Sequence, residues 1–179
     1  MSFRISKQVI KASGITFGTS GARGLVEQFT DEISAAFTAA FLTTMGASFS
    51  VKRVAVAIDR RPSSPAIAAT CIGMAQAMGY EVDYYGILPT PALALQSMSE
   101  GIPAIMITGS HIPFDRNGIK FYRPDGEITK ADEQAIVQVQ APMLPFVETF
   151  PEISPLARSN YIAHYKQRFK ADFLAGWRV

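Results

Sequence analysis

Cysteine is almost missing from this chain of 179 residues, where Cys71 stands alone. A single thiol excludes an internal disulfide and fits a reducing compartment. Its neighbours Ala69, Ile72 and Met74 mark it as a buried packing residue rather than a reactive one. An excess of one charge is missing too: Lys and Arg number 17 against 15 Asp and Glu, a net +2. That balance speaks against a dedicated nucleic-acid binder, whose basic residues would clearly outnumber its acids. No apolar run reaches about 18 residues, so no membrane span is expected. Arg4, Lys7 and Lys11 interrupt the N-terminus before an apolar stretch builds up, which is not the pattern of a signal peptide. The expected location is therefore the cytoplasm. Closely spaced aspartates are absent as well, with Asp59, Asp115, Asp125 and Asp132 scattered along the chain. There is no internal repeat and no low-complexity tract.

What is present suffices for a globular core. Hydrophobic residues make up 48% of the chain, and the length suits one ordinary domain. Thr30-Asp31-Glu32 reads as a capped helix start, followed by Ile33, Phe37, Phe41 and Met45 on one apolar face. Arg53–Ile58 reads as a buried strand. After it, Ser64 and Pro65 are expected to start a helix with Ile67, Cys71, Met74 and Met78 inward, ending at Gly79. A strand over Tyr80–Tyr85 follows, then a helix capped by Thr90 with Pro91 at its start and Gly101 at its end. Pro124-Asp125-Gly126 signals a turn. Thr129 caps a helix to about Gln140, with Asp132 in its third place. Ala141–Ser154 is proline-punctuated and irregular. Ser154-Pro155 opens a last helix whose apolar stripe is Tyr161, Tyr165, Phe169 and Phe173. His164 on that helix reads as a structural histidine.

Strands alternating with capped helices predict a three-layer α/β/α sandwich with a mixed, mostly parallel sheet. The strand after Asn117-Gly118 is expected to be its antiparallel exception.

The stretch Ala104–Tyr122, AIMITGSHIPFDRNGIKFY, organises the rest. An apolar run, Ala104–Ile107, breaks into Thr108-Gly109-Ser110-His111. Asn117-Gly118 reads as a turn before a second β-prone run, Ile119–Tyr122. A buried strand ending in a glycine-flanked hydroxyl is a way to present a nucleophile. On spacing alone, an ordinary strand–loop–strand with polar loop residues is the favoured reading. Ser110 is expected at the carboxyl end of its strand, where ligand sites in such sheets gather. Earlier, Ile15–Gly24, ITFGTSGARG, reads as a loop of accessible N–H groups with Arg23 projecting, able to hold a phosphate. A surface arginine on a glycine-rich turn is the alternative.

TGSHIPFDRNGIKFY resembles the active-site serine loop of the phosphohexomutases, the phosphoglucomutase/phosphomannomutase family. Thr108, Gly109, Ser110, His111, Pro113, Asn117, Gly118 and Lys120 fit its pattern with the spacing kept. Ile112 stands where that family usually has asparagine. FGTSGARG resembles the family's N-terminal active-site segment, and Asp59, Arg61, Ser63 and Ser64 match a further one. Arg60 and Arg61 either add positive field near a phosphate or pair with Asp59. Gly86–Pro91 is similar to a structural turn of the family.

The resemblance implies intramolecular phosphoryl transfer on a hexose phosphate. Ser110 would carry the phosphate, and Arg23, Lys120, Thr19 and Ser20 would bind phosphate or substrate. His111 and Lys120 would assist proton transfer or orient the sugar hydroxyl. Mg²⁺ is the implied cofactor, held here only through the Ser110 phosphate, and a hexose 1,6-bisphosphate is the implied activator and intermediate. The resemblance covers only the first of four domains. Residues 1–175 are expected to form that domain and residues 176–179 to begin a second. The remaining domains of the same protein would then be partners, and the isolated domain inactive as a mutase. A non-catalytic module binding a phosphorylated ligand or a protein partner is the alternative. A serine hydrolase built on Ser110 fits poorly, because His111 is its sequence neighbour and His164 is the only other histidine. At Ile112, the loop's N–H groups with Arg23 or Lys120 are expected to replace what asparagine supplies; packing of Ile112 into an apolar pocket is the other possibility.

Overall fold

The computed structural model describes residues 4–18 and 21–178. Alternation within the strands sets the layers. In β3 (Arg53–Ile58), Val54, Val56 and Ile58 enter one core cluster while Ala55 and Ala57 enter another. Successive side chains of a strand point to opposite faces, so both faces of this sheet are covered. The strand accordingly reads as a continuous apolar run.

Seven strands form one sheet in the order β1-β2-β6-β5-β3-β4, with β7 beside the far end of β6. They are β1 (Thr16–Gly18), β2 (Gly21–Leu25), β3, β4 (Glu81–Ile87), β5 (Ala104–Ile107), β6 (Arg116–Arg123) and β7 (Gly126–Glu127). The sheet is mixed, as expected, but the expected parallel majority is not found. Only β3–β4 and β3–β5 pair in parallel, while β1–β2, β2–β6, β5–β6 and β6–β7 are antiparallel. The cause lies in connection length. Helical crossovers join β3, β4 and β5, whereas a loop too short for a crossover joins β5 to β6 and reverses the chain.

On one face lie α1 (Ser6–Ala12), α2 (Asp31–Ser48), α3 (Ser64–Ala77) and α5 (Lys130–Gln138); on the other lie α4 (Thr90–Glu100) and α6 (Leu156–Lys166). The first core joins Phe37 and Phe41 of α2 and Cys71 of α3 to Ile105, Ile107, Ile119 and Phe121 of the sheet. The Phe41 and Phe121 rings stack at 4.5 Å. The second core packs Ala92 and Leu93 of α4 and Ala157 of α6 on Ala104, Met106 and Tyr122.

Most helix signals act as expected. The Thr30 hydroxyl accepts from the Ile33 N–H, and Thr129 and Asp132 form a reciprocal capping box. Gly101 ends α4 at φ +64°, where glycine has no Cβ to clash. Cys71 is fully buried, and burial pushes its thiol up to about 12.

Several expectations fail. Ser63 rather than Ser64 occupies the N-cap of α3, and Pro89 rather than Thr90 that of α4. Helix α1 carries no strong start signal and is not expected from sequence. Ile15–Gly24 is not an open loop, because β1 and β2 pair within it and β2 also pairs with β6. Asn117-Gly118 is not a turn; both residues lie inside β6. The final helix stops at Lys166, before Phe169 and Phe173, and its aromatic stripe is largely exposed. His164 is half-buried beside Tyr165. Residues 171–176 form turns.

Candidate functional site

Ser110 lies three residues beyond the carboxyl end of β5, as expected. It is exposed, and among the described residues it alone has positive φ without being glycine, at +47°. An L-residue in the left-handed region costs roughly 1–2 kcal/mol. Its surroundings hold it there. The Ser110 N–H donates to Thr108 Oγ1 at 2.9 Å, and the Gly109 N–H donates to Asp59 Oδ2 at 2.9 Å. Ser110 Oγ lies 3.2 Å from His111 Nδ1.

Beneath the loop lies Arg61, only 8% exposed. Its guanidinium donates to the carbonyls of Pro113 at 2.8 Å and Arg116 at 3.1 Å, to that of Ile112, and more distantly to that of Ser110 at 3.4 Å. Its Nε lies 3.5 Å from Asp59 Oδ2. Asp59 in turn accepts from the Arg61 N–H at 2.9 Å and the Ser64 hydroxyl at 2.6 Å. Burial pushes the Asp59 carboxyl up, but hydrogen bonds from Ser64, the Arg61 and Gly109 N–H groups and Thr108 outweigh it, and the net shift is downward. Fully buried Asn117 completes the network from β6, donating to Ser63 Oγ at 2.8 Å and Ser64 Oγ at 3.1 Å. Of the two sequence readings of Arg61, pairing with Asp59 is the one found, together with a role in the loop that sequence did not suggest.

A cleft of about 160 Å³ opens beside Ser110, lined by Gly21, Ala22, Arg23, Thr90, Thr108, Ser110, Gly118, Ile119 and Lys120. Sheet register brings its cations together. Gly21 pairs with Lys120 and Arg23 with Gly118 across β2 and β6, so the two long side chains are diagonal neighbours on one face. Gly118 is required there: a Cβ would lie 2.8 Å from the Ala22 carbonyl oxygen and 3.3 Å from Arg23 Cγ. Arg23 is exposed.

Lys120 Nζ lies 3.0 Å from Glu127 Oε1 and 4.8 Å from the Tyr122 ring centre. Burial pulls its pKa down, but hydrogen bonds with Tyr122 and Glu127 outweigh it and leave it raised. Lys120 is therefore an ammonium at neutral pH, a hydrogen-bond donor rather than a proton acceptor.

Ser110, Arg23 and Lys120 thus share one cleft. His111 touches the serine hydroxyl but does not line the cleft. Thr19 and Ser20 lie outside the described residues. Thr90, expected only as a cap, lines the wall. Ile112 is half-buried; its N–H is taken by the Gly109 carbonyl at 2.9 Å and its own carbonyl by Arg61. That N–H is thus not one of the donors that could stand in for an asparagine.

The cleft contains no carboxylate, and among the described residues no three His, Cys, Asp or Glu side chains converge to hold a metal. These residues alone do not make a magnesium site. A hydroxyl on a rigid strand end beside two cations is an arrangement for accepting or donating an anionic group.

Residues 14–141 match the sequence profile of the phosphoglucomutase/phosphomannomutase α/β/α domain I. The chain is 58% identical over 172 residues to a Salmonella muenchen phosphomannomutase, covering 96% of this chain and 36% of that protein. It is 53% identical over 127 residues to a Sinorhizobium fredii phosphomannomutase, covering 69% of this chain and 27% of the relative. A Maricaulis maris phosphoglucosamine mutase is 33% identical, covering 91% of this chain and 38% of the relative. A solved Thermus thermophilus protein with a provisional phosphomannomutase assignment superposes with TM-score 0.78 at 27% identity, covering 92% of this chain and 38% of that one. The chain thus spans only 27–38% of the length of these relatives. Its sheet order, its serine-bearing strand end and the sequence match coincide on the same residues, and the chain belongs to the phosphoglucomutase/phosphomannomutase family through its α/β/α domain I.

Proposed function

We propose that this chain supplies the phosphoryl-carrying serine of a hexose phosphate mutase. The observation that carries the reading is the placement of Ser110 Oγ, held exposed by a strained but clamped backbone at a cleft lined by Arg23 and Lys120. Phosphoryl transfer depends mainly on positioning and charge neutralisation, and a serine phosphate carries about −1.5 to −2 charge at neutral pH. In this reading the phosphate on Ser110 passes to a free hydroxyl of the hexose phosphate. The hydroxyl oxygen forms the new P–O bond as the bond to Ser110 Oγ breaks. The hydroxyl loses its proton and the serine oxygen regains one. The resulting bisphosphate returns its other phosphate to Ser110.

Arg23 and Lys120 bind the transferring phosphate as fixed cations, and Lys120 exchanges Glu127 for it. His111, whose Nδ1 lies 3.2 Å from Ser110 Oγ, would relay the proton in this reading. The name of the 58%-identical relative makes mannose phosphate the first substrate to test. Groups supplied by the rest of a longer protein would complete the site, in keeping with the relatives' greater length.

The test uses the protein at the length of its curated relatives. Incubation with a hexose 1,6-bisphosphate should add one phosphoryl group, located on Ser110 by peptide mass spectrometry. Ser110→Ala should abolish both the modification and turnover of mannose 1-phosphate. Tight phosphosugar binding without any covalent transfer would instead favour a non-catalytic binding module.

A further inference from the structure

We infer that Arg61 is the positioning residue of the Ser110 loop, acting on phosphoryl transfer entirely through the backbone it holds; this rests on the phosphoserine reading above. Arg61 belongs to a different segment, between β3 and α3, and its guanidinium does not line the cleft. Its nitrogens face the carbonyls of Ser110, Ile112, Pro113 and Arg116, which together span the loop from the nucleophile to the start of β6. Asp59 anchors Nε at 3.5 Å, and the Phe114 ring covers the guanidinium at 5.0 Å.

Charge alone cannot do this. Facing several carbonyls from one buried position requires a planar fork of N–H donors, which arginine has and the ammonium of lysine lacks. The loop is shaped to admit the fork. A Cβ on Gly109 would overlap the Arg61 guanidinium and come within 2.7 Å of its Cδ. The Arg61 side chain thus fills the space beside the nucleophile that a Cβ on residue 109 would take.

The clamp also fixes the loop's polarity. In a trans peptide the C=O and N–H point in opposite directions. With the Ser110 carbonyl turned towards Arg61, the His111 N–H is turned away from the guanidinium.

The test compares wild type with Arg61→Lys, which keeps the charge, and Gly109→Ala, which keeps the arginine but fills its space. Two quantities are read: the single-turnover rate of Ser110 phosphorylation from a hexose 1,6-bisphosphate at full length, and amide hydrogen exchange across residues 109–116. Both variants should load Ser110 roughly a hundredfold more slowly, the cost of an ångström-scale misplacement, with half-saturation by the bisphosphate unchanged. Exchange should rise in the loop and stay at wild-type levels in β3, β5 and β6. Should Arg61→Lys raise exchange throughout the sheet, Gly109→Ala decides. Wild-type loading rates would overturn the inference, even with a loosened loop, because Arg61 would then be merely structural. If wild-type protein itself takes no phosphoryl group, the phosphoserine reading fails, and the exchange data alone decide whether Arg61 holds the loop.

Discussion

At the residue scale, Ser110 combines strain with exposure. Its left-handed backbone suits glycine better than any L-residue, yet the chemistry proposed for it needs the hydroxyl. Ser110→Gly and Ser110→Ala should both lose phosphoryl acceptance while differing in stability. Glycine relieves the φ of +47°, whereas alanine keeps the strain, so thermal unfolding should show the glycine variant more stable than the alanine variant by about 1 kcal/mol. Asp59 is the second informative residue. Its folded pKa lies below the ordinary 3.8, and a depressed carboxylate stabilises the fold above the unfolded pKa. That contribution is complete above about 3.8 and is lost as pH falls through the lower, folded value. Asp59→Asn should therefore be less stable than wild type near neutrality, and the gap should narrow with acid below that point. A gap independent of pH in urea unfolding would mean that the carboxylate charge contributes nothing. The placement of Ser110 was legible in sequence because apolar strand, small residues and hydroxyl are contiguous. The hold of Asp59 and Arg61 on the serine loop was not, since their partners in that loop lie about fifty positions away in the chain, as the Asp59 bond to the Gly109 N–H shows with a separation of 50.

At the scale of elements, the segment between α5 and α6 shows how an irregular stretch is held. It has no helix or strand of its own, and it passes over α3 where Gly73 makes room. A Cβ there would lie 2.6 Å from the Val147 carbonyl oxygen and 2.9 Å from Phe146 Cδ2. Further along, the Ser154 N–H donates to the Tyr84 carbonyl at the edge strand β4, and the chain then enters α6 on the opposite face. Gly73→Ala sets two effects against each other. Alanine favours the interior of a helix by about 1 kcal/mol over glycine, but the strap must move. Displacement should win: the variant should lose roughly 1–3 kcal/mol and become more readily cleaved by protease between residues 143 and 154. Sequence marked this stretch correctly as irregular from its prolines. It could not show that the stretch crosses from one helical layer to the other. Asn117-Gly118 illustrates the opposite failure. The pair is a strong turn signal in isolation, yet here Asn117 finds Ser63 and Ser64 as buried partners and Gly118 makes room beside Arg23, so tertiary contacts override the local preference.

At the scale of the whole molecule, the fold lines the cleft beside Ser110 with cations rather than carboxylates. A ligand that binds only the native state raises its melting temperature. Since no metal-binding cluster occurs among the described residues, magnesium at millimolar concentration should leave the melting temperature of this unphosphorylated chain unchanged, and chelator should have no effect. Inorganic phosphate should raise it, and Arg23→Ala together with Lys120→Ala should remove that rise. A magnesium shift in the unphosphorylated chain would point to ligands outside the described residues.

Much of the architecture follows from sequence alone because its causes are local. Caps at Thr30 and Thr129, the alternating faces of Arg53–Ile58 and the stop at Gly101 are decided by residues within one or two turns of each other. The three layers and the mixed sheet follow from their succession, and the serine at the strand end from a contiguous motif. Strand direction was another matter: β6 turned β5 back in antiparallel pairing and drew β2 into the sheet, through contacts about a hundred residues apart in the chain, such as Gly21 with Lys120. The cleft exists only because that pairing sets Arg23 and Lys120 diagonally on one face. The clamp exists only because the carboxyl ends of β3 and β5 are adjacent in the parallel part of the sheet, which brings Arg61 under Gly109. Such contacts form only once distant segments pack together, and no local pattern in the chain encodes them.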